Sequence, residues 1–435
     1  MLFIIVDDLN TSIGCFGDQI ARTPILDSIA RKSNIYTSAY CQQAVSGPSR
    51  ASILTGTRPD KNGVTELNTW MREKNNDIIT MPQHFKENGY KTISVGKVFH
   101  GSKNSLDSLS WSTAPSLYSY SRIEEYMLEK NQTGKKADSY EFSVCNENEY
   151  FDTRITNKTI QLLDSLSNDT PFFLAVGFLK PHLPFCAPSR FWDLYEGEDF
   201  TIDTKPIKGA HALAYHNSEE LRGYVDIPKE GDIPIPQQKN LKRAYYSCIS
   251  YIDENIGILI DEMTERGLMN NTIVVILGDH GYHTGDQGLW CKSTNYEDAC
   301  RAPLIIYDPS QKKGNKIRFP VEFIDIFPTV CDMAGIHIPL GLDGKNLSNR
   351  YGPSQKFAIS QFVRPYKTIT RPELKTHTGY ALRTRKWTYI EWFGINGDSA
   401  GAELYRRKRE KRNIAESRNR LCRKLSVTLK SNIEK

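Results

Sequence analysis

Ser46-Gly47-Pro48-Ser49-Arg50-Ala51-Ser52-Ile53-Leu54-Thr55-Gly56 sets a hydroxyl two residues before a proline, an arginine four residues on, and an apolar helical turn closed by glycine. A helix starting there aims free backbone N–H groups and the positive end of its dipole at Ser46, a favourable seat for an anion. Four more groups of polar residues stand where apolar runs end: Asp7 and Asp8, Lys97 and His100, Lys180 and His182, Asp279 and His280. One such pair is the ordinary polar start of a turn. Four at one sheet edge, beside a hydroxyl loop, make a reaction centre. Three converging aspartates are hard oxygen ligands and point to Ca²⁺ or Mg²⁺ rather than a soft metal. His280 either joins those ligands or faces the substrate. A two-zinc centre would use several histidines, and only His280 adjoins the carboxylates.

These groups require strands to carry them. Residues 2–6, 91–95, 172–176 and 272–277 are short apolar runs of buried-strand type. Between them lie helical patterns: Thr23-Pro24 caps a helix through Ile25, Leu26 and Ile29, and Thr80 to Gln83 forms a capping box with Gly89 as the stop. Thr159, Leu162, Leu163 and Leu166 mark another helix, and Tyr245, Ile249, Ile252, Ile256 and Leu259 line one side of a long one over 241–263. Residues 35–40 read as a single strand entering the Ser46 loop, 303–307 as a further strand and 323–334 as a helix. Such alternation predicts a doubly wound, mostly parallel α/β sheet that binds ligands at its carboxyl edge. Residues 102–150 are polar and without period, an irregular insertion of the kind that selects substrate. Short strands over 357–359, 380–383 and 387–392, then a basic helix, suggest a small antiparallel C-terminal subdomain. The expected division is 1–352 and 353–435.

At 435 residues, 39% hydrophobic and 25% charged, the chain has the composition of an ordinary globular protein. It has no apolar run of membrane-spanning length, and neither a membrane nor nucleic acid is an expected partner. The net charge of +5 suits a polyanionic substrate without requiring one. The basic run 406–412 reads as a solvated helix face. Nine cysteines without CxxC pairs argue against a zinc module and a full disulfide framework, leaving room for one or two disulfides. The chain opens on a core strand, so an upstream signal segment is expected to have been removed, with a periplasmic or secreted location.

Phe3-Ile4-Ile5-Val6-Asp7-Asp8-Leu9, Cys41 to Val45 leading into the Ser46 stretch, Ser94 to His100, Lys180-Pro181-His182, Asp279-His280-Gly281 and Ser360 to Pro365 occur in this order along most of the chain. Together they resemble the iduronate-2-sulfatase-like branch of the type I sulfatases. The resemblance implies an alkaline-phosphatase-like fold, with a large central sheet between helices. It implies that Asp7, Asp8, Asp279, His280 and a modified Ser46 bind Ca²⁺. It implies conversion of Ser46 to formylglycine by a maturase, of the radical type for serine. Arg50, Lys97 and His100 would surround the nucleophile, and His182 and Lys292 would contact the sulfate and its leaving oxygen. A metal with lysine and arginine donors suits the charge that spreads over sulfate oxygens during transfer. His182 is the expected acid and His100 the expected base.

The expected substrate is a sulfated, uronate-containing polysaccharide or oligosaccharide, such as a glycosaminoglycan or algal ulvan. Asn68, Trp70, His283, Trp290 and Arg364 lie beside the motifs and are candidates to hold it; Arg364 would suit a bidentate carboxylate pair, while tryptophans serve equally in cores. His84 and His337 read as structural. Two features qualify the resemblance. Position 46 is serine where many relatives have cysteine, which fits either a natural serine-type enzyme or a cysteine-to-serine variant. Cys186-Ala187-Pro188-Ser189-Arg190 copies the cysteine form of the core motif but lacks the following Leu-Thr-Gly, so Cys186 is expected to be a packing thiol. Two rival readings are a phosphatase or phosphonate hydrolase on the same fold, and an unmodified, inactive binder of sulfated glycans.

Overall fold

The computed structural model describes the chain except residues 165, 167–169, 312, 348–356 and 434–435. Its centre is a seven-stranded sheet made of β1 (Leu2–Val6), β2 (Asn34–Tyr36), β3 (Lys91–Gly96), β4 (Phe172–Phe178), β5 (Val274–Gly278), β6 (Leu304–Tyr307) and β7 (Lys316–Ile317). The spatial order is β7-β2-β6-β5-β1-β4-β3. β1 pairs in parallel with β4 and β5, and only β6 runs against its neighbours. The mostly parallel sheet expected from the alternating pattern is therefore present.

Alternate side chains of β1 enter two different cores, as strand geometry dictates. Leu2, Ile4 and Val6 pack with α1 (Pro24–Ala30), α3 (Phe151–Leu163) and the 31-residue α4 (Ile235–Glu265). Phe3 and Ile5 pack on the other face with α2 (Ser46–Thr55) and α5 (Ile326–Met333). Burial on both faces explains the uninterrupted apolar runs.

Beyond the sheet, β8 (Phe357–Arg364), β9 (His377–Thr384), β10 (Trp387–Gly394) and β11 (Ser399–Arg406) form an antiparallel meander. One face, with Ala381, Ile390, Trp392 and Tyr405, packs on the main body; the other is covered by Leu425 and Leu429 of α6 (Asn419–Ile433). The expected boundary at 352/353 lies outside the described residues. β8 is sewn to the loop before Ser46, since Gln361 N–H donates to Gln42 O at 2.6 Å and Ser360 Oγ donates to Cys41 O at 2.6 Å.

Several local expectations are corrected. Residues 35–40 do not form one strand: the chain leaves the central sheet after Tyr36, and Ala39–Tyr40 joins a separate three-stranded sheet with Arg301–Ala302 and Val321–Glu322. Thr23 does not cap α1, because its hydroxyl accepts from Gly14 N–H; Asp253 of α4 caps it across space, accepting from Ile25 N–H at 3.0 Å and Leu26 N–H at 2.7 Å. Thr80 caps the Met81–Glu87 helix by accepting from Gln83 N–H at 3.2 Å, but the reciprocal half of the box is lost, because the Gln83 side chain bonds Arg72 and Glu87. The basic run 406–412 is exposed but not helical: it is the end of β11 and a turn pinned by buried Glu410, which accepts from Glu297 N–H at 2.8 Å. All nine cysteines are free. Cys186 lies in a buried strand, Phe185–Pro188, and burial pushes its thiol pKa well up, so it is a packing residue as expected.

Gly96 and Gly177 set how tightly the site is assembled. They face each other across β3 and β4, and a Cβ on Gly177 would overlap the carbonyl of Lys97. Gly177→Ala must push the Lys97 segment away and should lower stability by about 1–3 kcal/mol. Urea denaturation measures this, and an unchanged midpoint would refute the close-approach argument.

Candidate active site

β1, β5 and α2 converge at the carboxyl edge of the sheet. Ser46 is the first residue of α2, and Gly56 ends that helix in the left-handed conformation at φ +63°. Ser46 Oγ lies 2.8 Å from Asp7 Oδ1 and 3.2 Å from His280 Nε2. Arg50, one helical turn on, is fully buried and pairs with Asp7 at 3.1 Å and Asp279 at 2.9 Å. Its guanidinium also donates to the carbonyls of Lys97 and Val98, and Lys97 Nζ pairs with Asp7 Oδ2. Burial works to raise the Asp7 carboxyl, but Lys97 and Arg50 outweigh it and hold it well below the usual carboxylate range.

Asp8 adopts φ +60°, a conformation that non-glycine residues take at a cost and that recurs at functional sites. Its N–H donates to Asp279 Oδ1 at 3.0 Å, and its carbonyl accepts from the Tyr245 hydroxyl at 2.7 Å. Burial raises the Asp8 carboxyl even against Lys292 and His182, and its Oδ1 is buried without a hydrogen-bond partner. His280 Nδ1 donates to Gly281 O at 2.8 Å, which turns Nε2 towards Asp8 Oδ1 at 3.5 Å and Asp279 Oδ1 at 3.7 Å. Asp8, Asp279 and His280 thus bring three ligand atoms within 4.8 Å of one another. An orphaned carboxylate oxygen facing an imidazole nitrogen is the arrangement a cation satisfies, so these residues fit a metal.

Asp8, His182 and Glu220 form a second such group. There the cation is already covalent: Lys292 Nζ lies 2.9 Å from Asp8 Oδ2 and 3.0 Å from Glu220 Oε2. Cys291 and Ser293, on either side, have φ of +69° and +71°, so strained backbone frames this lysine. His182 Nδ1 meets Leu183 O at 2.6 Å, and Nε2 meets Glu220 Oε1 at 3.1 Å. Lys180 braces that loop, donating to Pro184 O at 2.6 Å and His182 O at 3.2 Å. His100 has a buried Nδ1 without a partner; burial, then Lys97, pushes its pKa down to about 3, so the ring is neutral.

Ser46, Lys97, His100, His182 and Lys292 all line one cavity of about 330 Å³, closed by Leu67, Tyr366 and Ile369, with Lys136, Glu219 and Lys367 around it. The structure therefore brings Asp7, Asp8, Ser46, Arg50, Lys97, His100, His182, Asp279, His280 and Lys292 together. It does not bring Asn68, Trp70, His283 or Arg364 to the cavity lining. Arg364 is buried and spends its guanidinium on the carbonyls of Leu213 (2.6 Å), Ser293 (2.9 Å) and Ala214 (3.1 Å), so no fork remains for a carboxylate. His283 is buried against Thr294 Oγ1 at 2.8 Å, and burial, then His216, pushes its pKa down to about 3. Trp290 is a core residue bonded to Gln238 at 3.1 Å. Asn68 is exposed, with its N–H on Glu66 at 2.6 Å, and Trp70 packs under Lys103. His84 donates to or accepts nothing in the cavity; its Nε2 bonds His337 O at 2.8 Å, consistent with a structural role for both.

Sequence reasoning missed Glu220 and Lys136. Glu220 sits in a proline-rich connection with no periodic or motif signal; burial favours its neutral form, yet Lys292 and His182 hold it well below the usual carboxylate range. Lys136 Nζ donates to the Glu220 carbonyl at 2.6 Å and fixes its place.

Comparison with known proteins assigns the chain to a family. Residues 1–336 match the family model described as Sulfatase, and residues 285–435 match that described as N-sulphoglucosamine sulphohydrolase, C-terminal. Human iduronate 2-sulfatase is 33% identical over 92% of this chain and 86% of its own length. An ulvan-active sulfatase of Formosa agariphila is 26% identical over 89% of this chain and 72% of its own. Among solved structures, a phosphonate monoester hydrolase from Silicibacter pomeroyi superposes with a TM-score of 0.79, covering 99% of this chain and 95% of its own at 20% identity, and so shares the fold. With its reaction centre at the carboxyl edge of an alkaline-phosphatase-like sheet, the chain belongs to the sulfatase family and is a sulfuric ester hydrolase.

Proposed function

We propose that this sulfatase removes O-sulfate from a uronate-containing glycan, a glycosaminoglycan or ulvan fragment, using formylglycine made from Ser46 and a bound Ca²⁺. One observation carries the reading: Ser46 heads α2 at the cavity floor, 2.8 Å from Asp7 and 3.2 Å from His280, with two lysines and two histidines in the walls. Asp7, Asp8, Asp279 and His280 would hold the ion, and oxygen-rich ligation favours Ca²⁺. Formylglycine made from Ser46 would supply, in its hydrated form, the hydroxyl nucleophile and a second hydroxyl for release of sulfate. The chain's own residues do the rest. Lys97 and Lys292 present ammonium donors to the sulfate oxygens, where negative charge grows during transfer. His182 Nε2 donates a proton to the leaving sugar oxygen, and His100 Nδ1 accepts one from the nucleophile side.

Lys367, exposed beside the cavity, would take the carboxylate role first expected of Arg364. The cavity's size suits one sulfated sugar and favours action at a chain end. Maturation would need a formylglycine-generating enzyme of the radical type, and the site of action would be the periplasm or outside the cell. Among the described residues no helix is long and apolar enough to cross a membrane.

Intact-peptide mass spectrometry over residues 38–58, after coexpression with a serine-competent maturase, should show a loss of about two daltons from conversion of serine to formylglycine. A peptide of unmodified mass would favour the inactive glycan-binder instead. The phosphonate hydrolase reading is separated by turnover: aryl sulfate should be cleaved with higher kcat/KM than aryl phosphate or phosphonate, and the reverse order would replace this proposal. His182→Asn should lower kcat on a sugar sulfate by roughly 10²–10⁴-fold. It should cost far less on nitrophenyl sulfate, whose leaving group needs no proton; equal losses on both would remove His182 from the acid role.

A further inference from the structure

Glu220 lies against two of the groups expected to meet the substrate. Its Oε1 lies 3.1 Å from His182 Nε2 and 3.2 Å from Lys292 Nζ, and its Oε2 lies 3.0 Å from the same ammonium. Those are the two cationic or proton-bearing groups assigned to the sulfate and its leaving oxygen. Its side chain is 16% exposed and lines the cavity, and Lys136 fixes its backbone at 2.6 Å. The carboxylate is thus a permanent negative charge beside the place where transfer occurs.

We propose that Glu220 is a specificity-determining residue that tunes the pocket to a singly charged sulfate ester and against a doubly charged phosphate ester. The proposal rests on the sulfatase reading above. The interlocked inner groups are Arg50, Lys97 and Lys292 against Asp7, Asp8, Asp279 and Glu220. The Glu220 carboxylate lowers the positive charge that faces the ester by one unit. Glu219 pairs with His216 Nδ1 at 3.5 Å, Lys136 is held on the Glu220 carbonyl at 2.6 Å, and Lys367 lies in solvent, where its field is screened. Without the Glu220 charge that positive charge rises by one unit, the difference between a sulfate monoester and a phosphate monoester dianion. Lys292 works in the same direction. An ammonium carries one charge where a second divalent metal would carry two, and Glu220 already shares it.

The test reads binding as well as turnover, so it does not depend on maturation of Ser46. Isothermal titration calorimetry with Ca²⁺ present compares methyl sulfate with methyl phosphate at pH 8, where phosphate, with a second pKa of about 6, is a dianion. Glu220→Gln should improve the Kd for methyl phosphate at least tenfold relative to that for methyl sulfate. Glu220→Asp, which keeps the charge, should retain wild-type preference. Glu220→Ala provides a second neutral variant should Glu220→Gln fold poorly. In matured enzyme the kcat/KM ratio of aryl phosphate to aryl sulfate should rise in parallel. An unchanged Kd ratio in the neutral variants overturns the proposal. Wild-type enzyme that carries formylglycine and still fails on aryl sulfate overturns the functional reading instead, and the two failures are distinct.

Discussion

The Arg50 guanidinium, buried without contact to solvent between Asp7 and Asp279, is the interaction on which the rest of the site depends. Its partners come from the ends of β1 and β5, and its remaining donors reach the carbonyls of Lys97 and Val98 after β3. One side chain from α2 thereby ties together three strand ends. Desolvating these ions is costly, and removing one member of such a buried set typically costs about 3–5 kcal/mol, because the others are left unpaired. The register between α2 and the sheet is therefore fixed more firmly by charge than by the apolar side of α2, which offers chiefly Ile53 and Leu54.

That constraint explains the concentration of unusual backbone nearby. Asp8, Cys291 and Ser293 are all in the left-handed region, each beside or at a charged group of the site. Such conformations persist only where surroundings over-determine them. Here the surroundings are visible: Tyr245 of α4 holds the Asp8 carbonyl and the Asn10 N–H, and Arg364 holds the carbonyl of Ser293. Arg364 thus acts on the site from behind, through the backbone that presents Lys292. The C-terminal meander, which supplies Arg364 and the Gln361 contact to Gln42, is thus packed into the framework of the candidate site rather than appended to it.

Much of this was legible in the sequence. Parallel strands buried on both faces leave plain apolar runs, and polar residues at their ends must collect at the carboxyl edge, so Asp7, Asp8, Lys97, His182, Asp279 and His280 could be placed together from the runs alone. The α2 boundaries were legible too, since Gly56 supplies the left-handed stop at its carboxyl end. What could not be read were pairings across long separations. Asp253 rather than Thr23 caps α1, and Glu220 reaches His182 from a connection with no period. Arg364 looked like a substrate arginine because its type and motif suit carboxylates, but only three-dimensional packing reveals carbonyls on every side of it. Residues 35–40 have unbroken strand composition, and only their neighbours divide them between two sheets.

A fold shared with a phosphonate hydrolase leaves the choice of chemistry to the charges in the pocket. Sulfate and phosphate esters are nearly the same shape, so contacts that measure size discriminate weakly, whereas one unit of charge at a few ångströms in a water-poor cavity discriminates strongly. The two clusters that meet at Asp8 divide that labour. One, with Asp279 and His280, has the orphaned carboxylate oxygen and imidazole nitrogen that call for a metal ion. The other, with His182 and Glu220, is neutralised by Lys292, whose single charge is covalently placed and cannot be exchanged for a divalent ion. An asymmetric pair of cations, one ammonium and, in the proposed reading, one metal, would suit an ester that brings a single negative charge and whose sugar leaves as an alcohol. In the proposed reading His182, beside the ammonium, would protonate the leaving sugar oxygen directly, a service a second metal in its place would not provide.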